Sequence, residues 1–418
     1  MNQVEPSIIE RLKTSFDPDD AVSLLQRSVR CPSVTGNEAA YAALLAEELR
    51  AIGAEHVTVR DFEPGRPNVW GIRRGREGGG HLLVVGHTDT VHVRNWNDQW
   101  AGTERENPFG AALIDGAIWG RGTSDMKAGI CTALSAVRLL DRAGIPIDPT
   151  ITFAFVGDEE SGETGSGISA GVRAFAELLN TGEVERPDFA IYAEPTMLNI
   201  CPAHMGFFIG DVKVIGRPAY FGVPELGVDA LRATHAMLSA IWQYSERFKI
   251  KPAHPLIGHG FVLVTSIGGG GSIAVPGECG FSYICKVPPG DTLDAIQSDI
   301  EATIKGAIQD PEITVAFSYP ARRDHAIGGT PFESPSDIEP VRRLRETIKA
   351  LRPDRGQIEA VPGWSELPFF SALGVPGVYW APGDVRICHT PKENVNLQDY
   401  TDGVVVFAAY LAGAAVRV

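Results

Sequence analysis

The sequence predicts an α/β protein in which a larger domain, with a mostly parallel and doubly wound sheet, is interrupted by a smaller α+β domain. The chain of 418 residues is too long for one ordinary core, so two domains are expected. Helix and strand patterns alternate from about residue 20 to 200, which is typical of a parallel sheet covered on both faces. The pattern changes near Gly206. The predicted boundaries are 1–207 and 323–418 for the larger domain and 208–322 for the insertion.

Apolar residues at helical spacing predict the helices of the larger domain, and short β-branched or aromatic runs predict its strands. The expected helices are Ala39–Ile52, Ala128–Ala143 and Ile168–Leu179. The expected strands are His81–Val85, Thr150–Val156 and Phe189–Ala193. After GGTPFESPSD the α/β pattern resumes, with a helix over 338–350, a strand in GVPGVYWAP and a final helix.

The predicted insertion has antiparallel character. The stretch FFIGDVKVIGRPAY alternates as a half-exposed strand does, and further strands are expected in FVLVTSIGGGG, CGFSYICKV and EITVAFSY. Helices are expected between them at about 227–248 and 291–308. We therefore expect a small α+β unit with an antiparallel sheet.

Composition excludes several classes of protein. The net charge is -15 and the sequence shows no basic stripe, so no nucleic-acid partner is expected. No apolar run approaches the roughly 18 residues of a membrane span, and the N-terminus lacks a signal-like apolar region, so we expect a cytoplasmic protein. The 6 cysteines form no CxxC pair and are expected to be reduced. No nucleotide-binding phosphate loop is found.

Side chains that suit a divalent metal follow the predicted strands. The motif GHTDT ends the first strand and places His87 two residues before Asp89. Asp89 is near enough to hold the second ring nitrogen of His87, a usual arrangement for a metal-ligating histidine. A histidine that is satisfied by a loop hydrogen bond explains the same pattern.

The motif WGRGTSDMKAG places Asp125 just before the predicted helix Ala128–Ala143. Ser and Asp cap helices well, so a structural role explains this residue on its own. The glycines before it, however, let the backbone come near a ligand. Both interpretations of Asp125 are open at this level.

Three consecutive acids, Asp158, Glu159 and Glu160, follow the strand Thr150–Val156 in VGDEESGETGS. They form either a solvated acidic turn or the surroundings of a cation. In the second case one carboxylate binds the metal while its neighbour acts as a general base.

Two further candidates are Glu194 in AEPT, after the strand Phe189–Ala193, and His389 in APGDVRICHTPKENV. Each is unremarkable alone. Together the two histidines and the carboxylates are ligands that suit Zn²⁺, Mn²⁺ or Co²⁺. Because ligands bind at the carboxyl ends of strands in open α/β sheets, one or two divalent ions per chain are predicted.

The motifs GHTDTV, GRGTSDMKAG, GDEESG-x-x-GS, AEPT and CHTPKENV occur in this order over nearly the whole chain. In this the sequence resembles the metallohydrolase family of aminoacylase, acetylornithine deacetylase, succinyl-diaminopimelate desuccinylase and carboxypeptidase G. The resemblance implies a catalytic domain interrupted by a lid domain, with a homodimer formed through the lid. It also implies hydrolysis of a C–N bond in a small acidic molecule.

The resemblance also implies a role for each motif residue. One metal would be held by His87 and Glu194, the other by Glu160 and His389, and Asp125 would bridge the two. The general base toward the attacking water would be Glu159, with Asp89 as the partner of His87.

Several lid positions depart from the family pattern. Members usually carry a His in a G-x-x-A-H segment, where this sequence has Tyr220 in GRPAYFGVP. The Asn of a Gly-rich loop is replaced by Ile273, and the Arg that grips the substrate carboxylate by Lys286. Lys keeps the charge but loses the bidentate geometry. Near the C-terminal side, the usual Asp is replaced by Glu366 in GWSEL.

These departures leave three functions open. The first is hydrolysis of an N-acyl amino acid or peptide, and the second is hydrolytic removal of the amine from an aromatic acid, as in the 5-nitroanthranilate-hydrolysing member of the family. The third is a non-catalytic binding protein, which would not need Glu159. The predicted substrate-binding residues are aromatic or cationic: Tyr220, Lys286, His204, Trp364 and Arg386.

Overall fold

Two structural units make up the part of the chain that the computed structural model describes, residues 6–160, 167–271 and 273–413. The larger unit comprises the chain up to Pro202, Ser334–Glu359 and the chain from Ser365 onward. The smaller unit comprises Ala203–Glu333 and Ala360–Trp364. Two strands, Ile200–His204 and Ile358–Val361, carry the chain across the boundary.

The central sheet of the larger unit is mixed. Its strands follow one another in the order Glu55–Glu63, Arg66–Arg73, Thr150–Val156, His81–His87, Phe189–Tyr192, Gly377–Tyr379 and Ile200–His204. The four strands in the middle of this series pair in parallel. The pairs at both ends are antiparallel. The predicted mostly parallel sheet is therefore correct for the centre only.

The hairpin Glu55–Glu63 and Arg66–Arg73 has no counterpart among the predicted elements. Its first strand lies at the edge of the sheet and is exposed or half-buried along its whole length. Most of its residues are charged or polar, so the strand lacks the apolar run by which buried strands are recognised.

Helices cover the sheet, and the predicted ones form with ends shifted by a few residues. The helix Ala128–Ala143 forms as predicted, is buried over most of its length and packs against the last helix. The helices of the larger unit are Pro6–Ser15, Pro18–Val29, Ala39–Ala51, Asn97–Trp100, Ala128–Ala143, Ala170–Thr181, Glu339–Leu351, Leu367–Ser371 and Leu397–Gly413. A separate small sheet joins Ala112–Ile114, Ala117–Trp119 and Asn394–Asn396.

The smaller unit is an antiparallel sheet with helices on one face. The strands follow in the order Phe261–Gly269, Glu278–Val287, Gly206–Ile215 and Thr314–Ser318. The helices Ala230–Arg247 and Leu293–Gly306 bury Ile241 and Ile300 against Phe208 and Tyr283 of the sheet. Two short strands, Ala219–Tyr220 and Ala274–Val275, form a separate ladder.

The boundaries of the smaller unit differ from the predicted 208 and 322. After the last long strand the chain returns to the sheet, where Gly328–Gly329 pairs with Phe207 and Phe208. Phe332 then pairs with His204. Because of these pairings, the smaller unit extends as far as Glu333. The pairing segments are only two residues long, so they show no apolar periodicity from which the boundary could be predicted.

Within the described residues, no helix is both long enough and apolar enough to span a membrane. All six cysteines are free thiols.

Two glycines allow the helix Ala128–Ala143 to lie directly on the sheet. A Cβ atom on Gly86, in the GHTDTV motif, would come within 2.6 Å of Ile130 Cγ1. A Cβ atom on Gly129 would come within 2.3 Å of the main-chain oxygen of Ala193. This second neighbour is backbone, which cannot rotate away as a side chain can.

We expect Gly129→Ala to destabilise the protein by about 1–3 kcal/mol, the usual effect of overpacking a core. Urea denaturation followed by circular dichroism measures it. The control is Gly306→Ala, at the end of a helix where a new Cβ meets nothing within 4 Å. This control should be neutral or slightly stabilising. Equal unfolding midpoints for Gly129→Ala and the unmodified protein would contradict the packing argument.

Candidate metal centre

The ends of neighbouring parallel strands bring three of the predicted segments to one edge of the sheet. His87 is the last residue of its strand and pairs in register with Val156, the last residue of the adjacent strand. Glu159 and Glu160 follow that strand, and Glu194 follows the strand Phe189–Tyr192 on the other side. This is the edge at which ligands bind in open α/β sheets.

Asp125 lies in an irregular turn, Thr123–Lys127, and its backbone is not helical. The helix begins only at Ala128, so Asp125 does not serve as its cap. Its Oδ1 is 3.0 Å from His87 Nε2 and its Oδ2 is 3.1 Å from His389 Nε2. One carboxylate therefore lies between the two histidines.

The donor atoms form sets that share members. His87, Asp125 and Glu194 place their ligand atoms within 4.8 Å of one another, and so do Asp125, Glu160 and His389. A third set combines His87 with Glu159 and Glu160. His389 Nε2 is 3.1 Å from Glu160 Oε1. The structure thus brings all five predicted ligands together, with Asp125 common to two sets.

The electrostatics of the cluster fit a divalent cation. Burial, and then the nearby Asp125 carboxylate, raise the pKa of Glu194 to about 8. Burial also raises the pKa of Glu159 well above its usual range, and the neighbouring carboxylates add to this. Such shifts reflect the cost of placing several anions in a low-dielectric site. A bound divalent cation relieves this cost, and the mixed nitrogen and oxygen donors suit it.

The histidines respond to the same charges in the opposite sense. Burial by itself lowers the pKa of His389, but its hydrogen bonds to Asp125 and Glu160 outweigh burial and raise it to about 11. The same competition raises the pKa of His87 well above its usual range. In the absence of a metal, protons on the two imidazoles would take the place of the cation.

Asp89 acts differently from the prediction. The Nδ1 atom of His87 is 2.9 Å from the main-chain oxygen of Asp89, whereas the Asp89 carboxylate is 3.8 Å away. That carboxylate instead accepts the backbone N–H groups of Glu159 and Glu160 and the hydroxyl of Thr35. Burial raises its pKa to about 7. Asp89 therefore orients His87 through its backbone and places the two acids through its side chain.

Two positioning acids were not recognised from the sequence. Asp158 has a φ of 72°. Its carboxylate accepts hydrogen bonds from the N–H groups of Gly167, Ile168 and Ala170. It also forms an ion pair with Arg66. Residues 161–166, the stretch SGETGS, lie outside the described residues.

The second acid, Glu393, accepts N–H groups from Gly122, Ser124 and Asp125. In the sequence, Asp158 and Glu393 are each visible only as an acid within a motif. The same pattern is found for a metal ligand and for an acid in a solvated turn.

Glu194 and the predicted departure Glu366 have hydroxyl partners. Ser365 donates to Glu194 Oε1 at 2.7 Å, and Tyr192 donates to Glu366 Oε2 at 2.7 Å. Glu366 is completely buried, and burial raises its pKa to about 7. The GWSEL segment thus supplies a hydroxyl that orients Glu194.

Three of the predicted substrate-binding residues lie together in the smaller unit. The ring of Trp364 is 6.0 Å from those of His204 and Phe207. Lys286 Nζ lies 5.8 Å from the centre of the Phe207 ring. Arg323, which the sequence analysis did not single out, lies 5.8 Å from the same ring and 5.9 Å from that of Trp364. We call these five residues the cation–aromatic cluster.

The other two predicted substrate-binding residues are placed elsewhere. Tyr220 belongs to the short ladder of the smaller unit, is 62% exposed and lies against Phe221, with ring centres 4.5 Å apart. Ile273, beside the same ladder, is 71% exposed. Arg386 belongs to the larger unit, where its guanidinium forms a two-pronged ion pair with Asp384.

Comparison with known proteins finds similar chains among amide hydrolases. The chain is 26% identical over 393 residues to acetylornithine deacetylase of Proteus mirabilis, covering 90% of this chain and 92% of that protein. It is 31% identical over 233 residues to succinyl-diaminopimelate desuccinylase of Methylobacterium radiotolerans, covering 54% of this chain and 56% of that protein.

Solved structures share the fold. Aminopeptidase PepT from Bacillus cereus aligns with a TM-score of 0.74 at 18% identity, over 96% of this chain and 99% of that one. The YXEP protein of Bacillus subtilis, a dinuclear metal binding peptidase, aligns with a TM-score of 0.65 at 14% identity, over 94% and 97% of the two chains. These likenesses support the α/β architecture with an inserted unit.

Residues 83–413 match the sequence profile of peptidase family M20/M25/M40. This range contains every predicted metal ligand and most of both units. The family resemblance that the motifs predicted is confirmed. The chain belongs to peptidase family M20/M25/M40 and is a metal-dependent hydrolase that acts on C–N bonds.

Proposed function

We propose that this protein hydrolyses an amide bond in a small N-acylated molecule that carries a carboxylate. The proposal rests on two groups of potential metal ligands that share Asp125, with the Glu159 carboxylate beside them. His87, Asp125 and Glu194 would hold one divalent ion. Asp125, Glu160 and His389 would hold a second.

Divalent ions in such a site supply Lewis acidity, which polarises the amide carbonyl and lowers the pKa of water. Nitrogen and oxygen donors in this proportion suit Zn²⁺, Mn²⁺ and Co²⁺. In this scheme Glu159 binds neither ion, so its carboxylate is free to act as the general base. Its carboxylate takes the proton of the attacking water and delivers it to the leaving nitrogen as the C–N bond breaks. General acid–base catalysis of this kind contributes about 10²–10⁴-fold to a rate.

The names of the relatives support amide hydrolysis over the aromatic-amine alternative, since they are a deacetylase and a desuccinylase. Both names describe removal of an acyl group from an amine. The non-catalytic alternative is not retained, because the chain belongs to a family of hydrolases.

Metal loading, a substrate panel and replacement of Glu159 test the proposed reaction. Protein loaded with Zn²⁺, Mn²⁺ or Co²⁺ should hydrolyse N-acetyl or N-succinyl amino acids in a panel that also contains dipeptides and ortho-amino aromatic acids. Chelation should abolish turnover, and restoring the metal should recover it. Glu159→Gln should lower kcat by about 10²-fold or more while elemental analysis finds the metal content unchanged.

An exposed acid on the same unit provides the control. Glu177→Gln, on the helix Ala170–Thr181, should leave kcat unchanged. Turnover of the aromatic amines alone would overturn the proposed reaction. Full activity in Glu159→Gln would overturn the assigned base.

We further propose that Lys286 of the cation–aromatic cluster binds the substrate carboxylate. Among the described residues Lys286 has no hydrogen-bond or ion-pair partner, and burial lowers its pKa to about 8. A half-buried ammonium group without a carboxylate is unfavourable, and an anionic ligand would remove that cost. The rings of Phe207 and Trp364 offer apolar surface for the rest of the ligand.

Lys286→Met should raise KM for the best acylated substrate about tenfold or more, the value of one hydrogen bond to a charged group. Its kcat should change less. The matched control is Lys213→Met on the neighbouring strand, because Lys213 is exposed and already paired with Glu278. A KM within twofold of the unmodified enzyme would rule out this role for Lys286.

We also propose a homodimer formed through the smaller unit. Phe261–Gly269 is the end strand of that unit's sheet, and no described strand pairs with its outer edge. It exposes Phe261, Leu263 and Ile267. An exposed apolar edge strand is normally covered, and a second copy of the chain is the simplest partner.

Light scattering coupled to gel filtration should therefore give twice the mass of one chain. Leu263→Glu should shift the protein to monomer, because it puts a charge in the buried interface. Leu113→Glu is the control, since Leu113 has similar exposure, 50% against 55%, but lies in the larger unit. A monomeric unmodified protein, or a dimeric Leu263→Glu variant, would contradict the proposal.

A further inference from the structure

We propose that Glu393 is a positioning residue that fixes the bridging carboxylate of Asp125 and so sets the affinity for the second ion. The inference rests on the proposed function, because it takes Asp125, Glu160 and His389 as the ligands of that ion. Glu393 itself belongs to none of the donor sets. It is completely buried.

The Glu393 carboxylate binds the turn that carries Asp125. Its Oε1 accepts the N–H groups of Gly122 at 2.9 Å, Ser124 at 3.2 Å and Asp125 at 3.2 Å. Its Oε2 forms an ion pair with Arg121. Four consecutive or nearly consecutive residues before the helix therefore converge on one side chain.

The Glu393 carboxylate accepts backbone N–H groups that would be bonded to main-chain oxygens in a regular helix. Gly122 has a φ of 83°, and Asp125 has φ and ψ of -121° and 90°, so the N–H groups of this turn lack a regular helical ladder. Each buried N–H left unsatisfied costs about 1–3 kcal/mol. Without the carboxylate acceptor, the turn would gain by moving, and Asp125 would move with it.

Glu393 also couples the Asp125 turn to the loop that carries His389, four residues earlier in the chain. Gly120 donates its N–H to the main-chain oxygen of Glu393 at 3.2 Å. Ser124 Oγ donates to the main-chain oxygen of Asn394 at 2.8 Å. The strand Asn394–Asn396 continues the contact by pairing with Ala117–Trp119. Two ligands of the second ion thus lie on loops that this residue joins.

The alternative is that Glu393 only adds stability as half of a buried ion pair. Glu48 provides the comparison within the same unit. It is also a buried glutamate, 5% exposed, and it pairs with Arg138 and Arg27. It binds neither ligand loop in the described structure. Glu393→Gln and Glu48→Gln therefore remove the same charge from similar surroundings.

The experiment is a competition titration of metal-free protein with Zn²⁺ against a chromophoric chelator, which resolves the first and second dissociation constants. We expect Glu393→Gln to weaken the second constant by 10- to 100-fold, the usual effect of losing a residue that supports a metal ligand. The first constant should change less, since only Asp125 of its three ligands lies on a segment that Glu393 contacts, whereas both Asp125 and His389 of the second set do. Glu48→Gln should keep both constants although its melting temperature falls.

A second variant, Glu393→Asp, distinguishes the loss of a positioning contact from misfolding of Glu393→Gln. Glu393→Asp keeps the charge but withdraws the carboxylate by one methylene, and it should give an intermediate loss of the second ion. Second constants within threefold of the unmodified protein in both Glu393 variants would overturn the inference. So would an equal loss in Glu48→Gln.

The titration separates this inference from the proposed function because it does not depend on turnover. Failure of the unmodified protein to bind any of Zn²⁺, Mn²⁺ and Co²⁺ would overturn both. Two bound ions with unchanged affinity in the Glu393 variants would overturn only the inference.

Discussion

The close approach of several buried carboxylates around Asp125 is the constraint on which the rest of this structure depends. Asp125 contacts both His87 and His389, and one carboxylate oxygen each of Glu160 and Glu194 lies within 4.8 Å of an Asp125 oxygen. Anions do not gather in a low-dielectric site without compensation. Protonated histidines would compensate them in the metal-free protein, and a bound divalent cation would do so in their place.

Three buried acids that bind no ion in the proposed scheme hold the irregular loops in place. Asp89 accepts the N–H groups of Glu159 and Glu160, Asp158 accepts that of Gly167, and Glu393 binds the Asp125 turn. Segments without helix or strand geometry leave backbone donors unpaired, and a carboxylate can accept several of them. The positions of the ligands thus follow from a surrounding layer of hydrogen bonds as much as from the sheet.

The smaller unit carries a different kind of chemistry. Its Lys286 and Arg323 both lie against the ring of Phe207. Burial lowers the pKa of Lys286, whereas Arg66 and Arg352 of the larger unit form ion pairs with acidic partners. The metal ligands and the cation–aromatic cluster therefore belong to separate units, each with its own core.

The sequence alone determined the α/β pattern, the helix Ala128–Ala143, the presence of an inserted unit and the five metal-compatible residues, because apolar periodicity and strand-end motifs are local signals. Only the tertiary structure decided which atoms meet. The edge hairpin before Arg73, the true extent of the smaller unit, the backbone contact of Asp89 with His87 and the role of Glu393 all depend on pairings between distant segments. An acid in a motif has the same sequence signal whether it binds an ion or a backbone N–H. Its role becomes visible only when folding brings its partners to it.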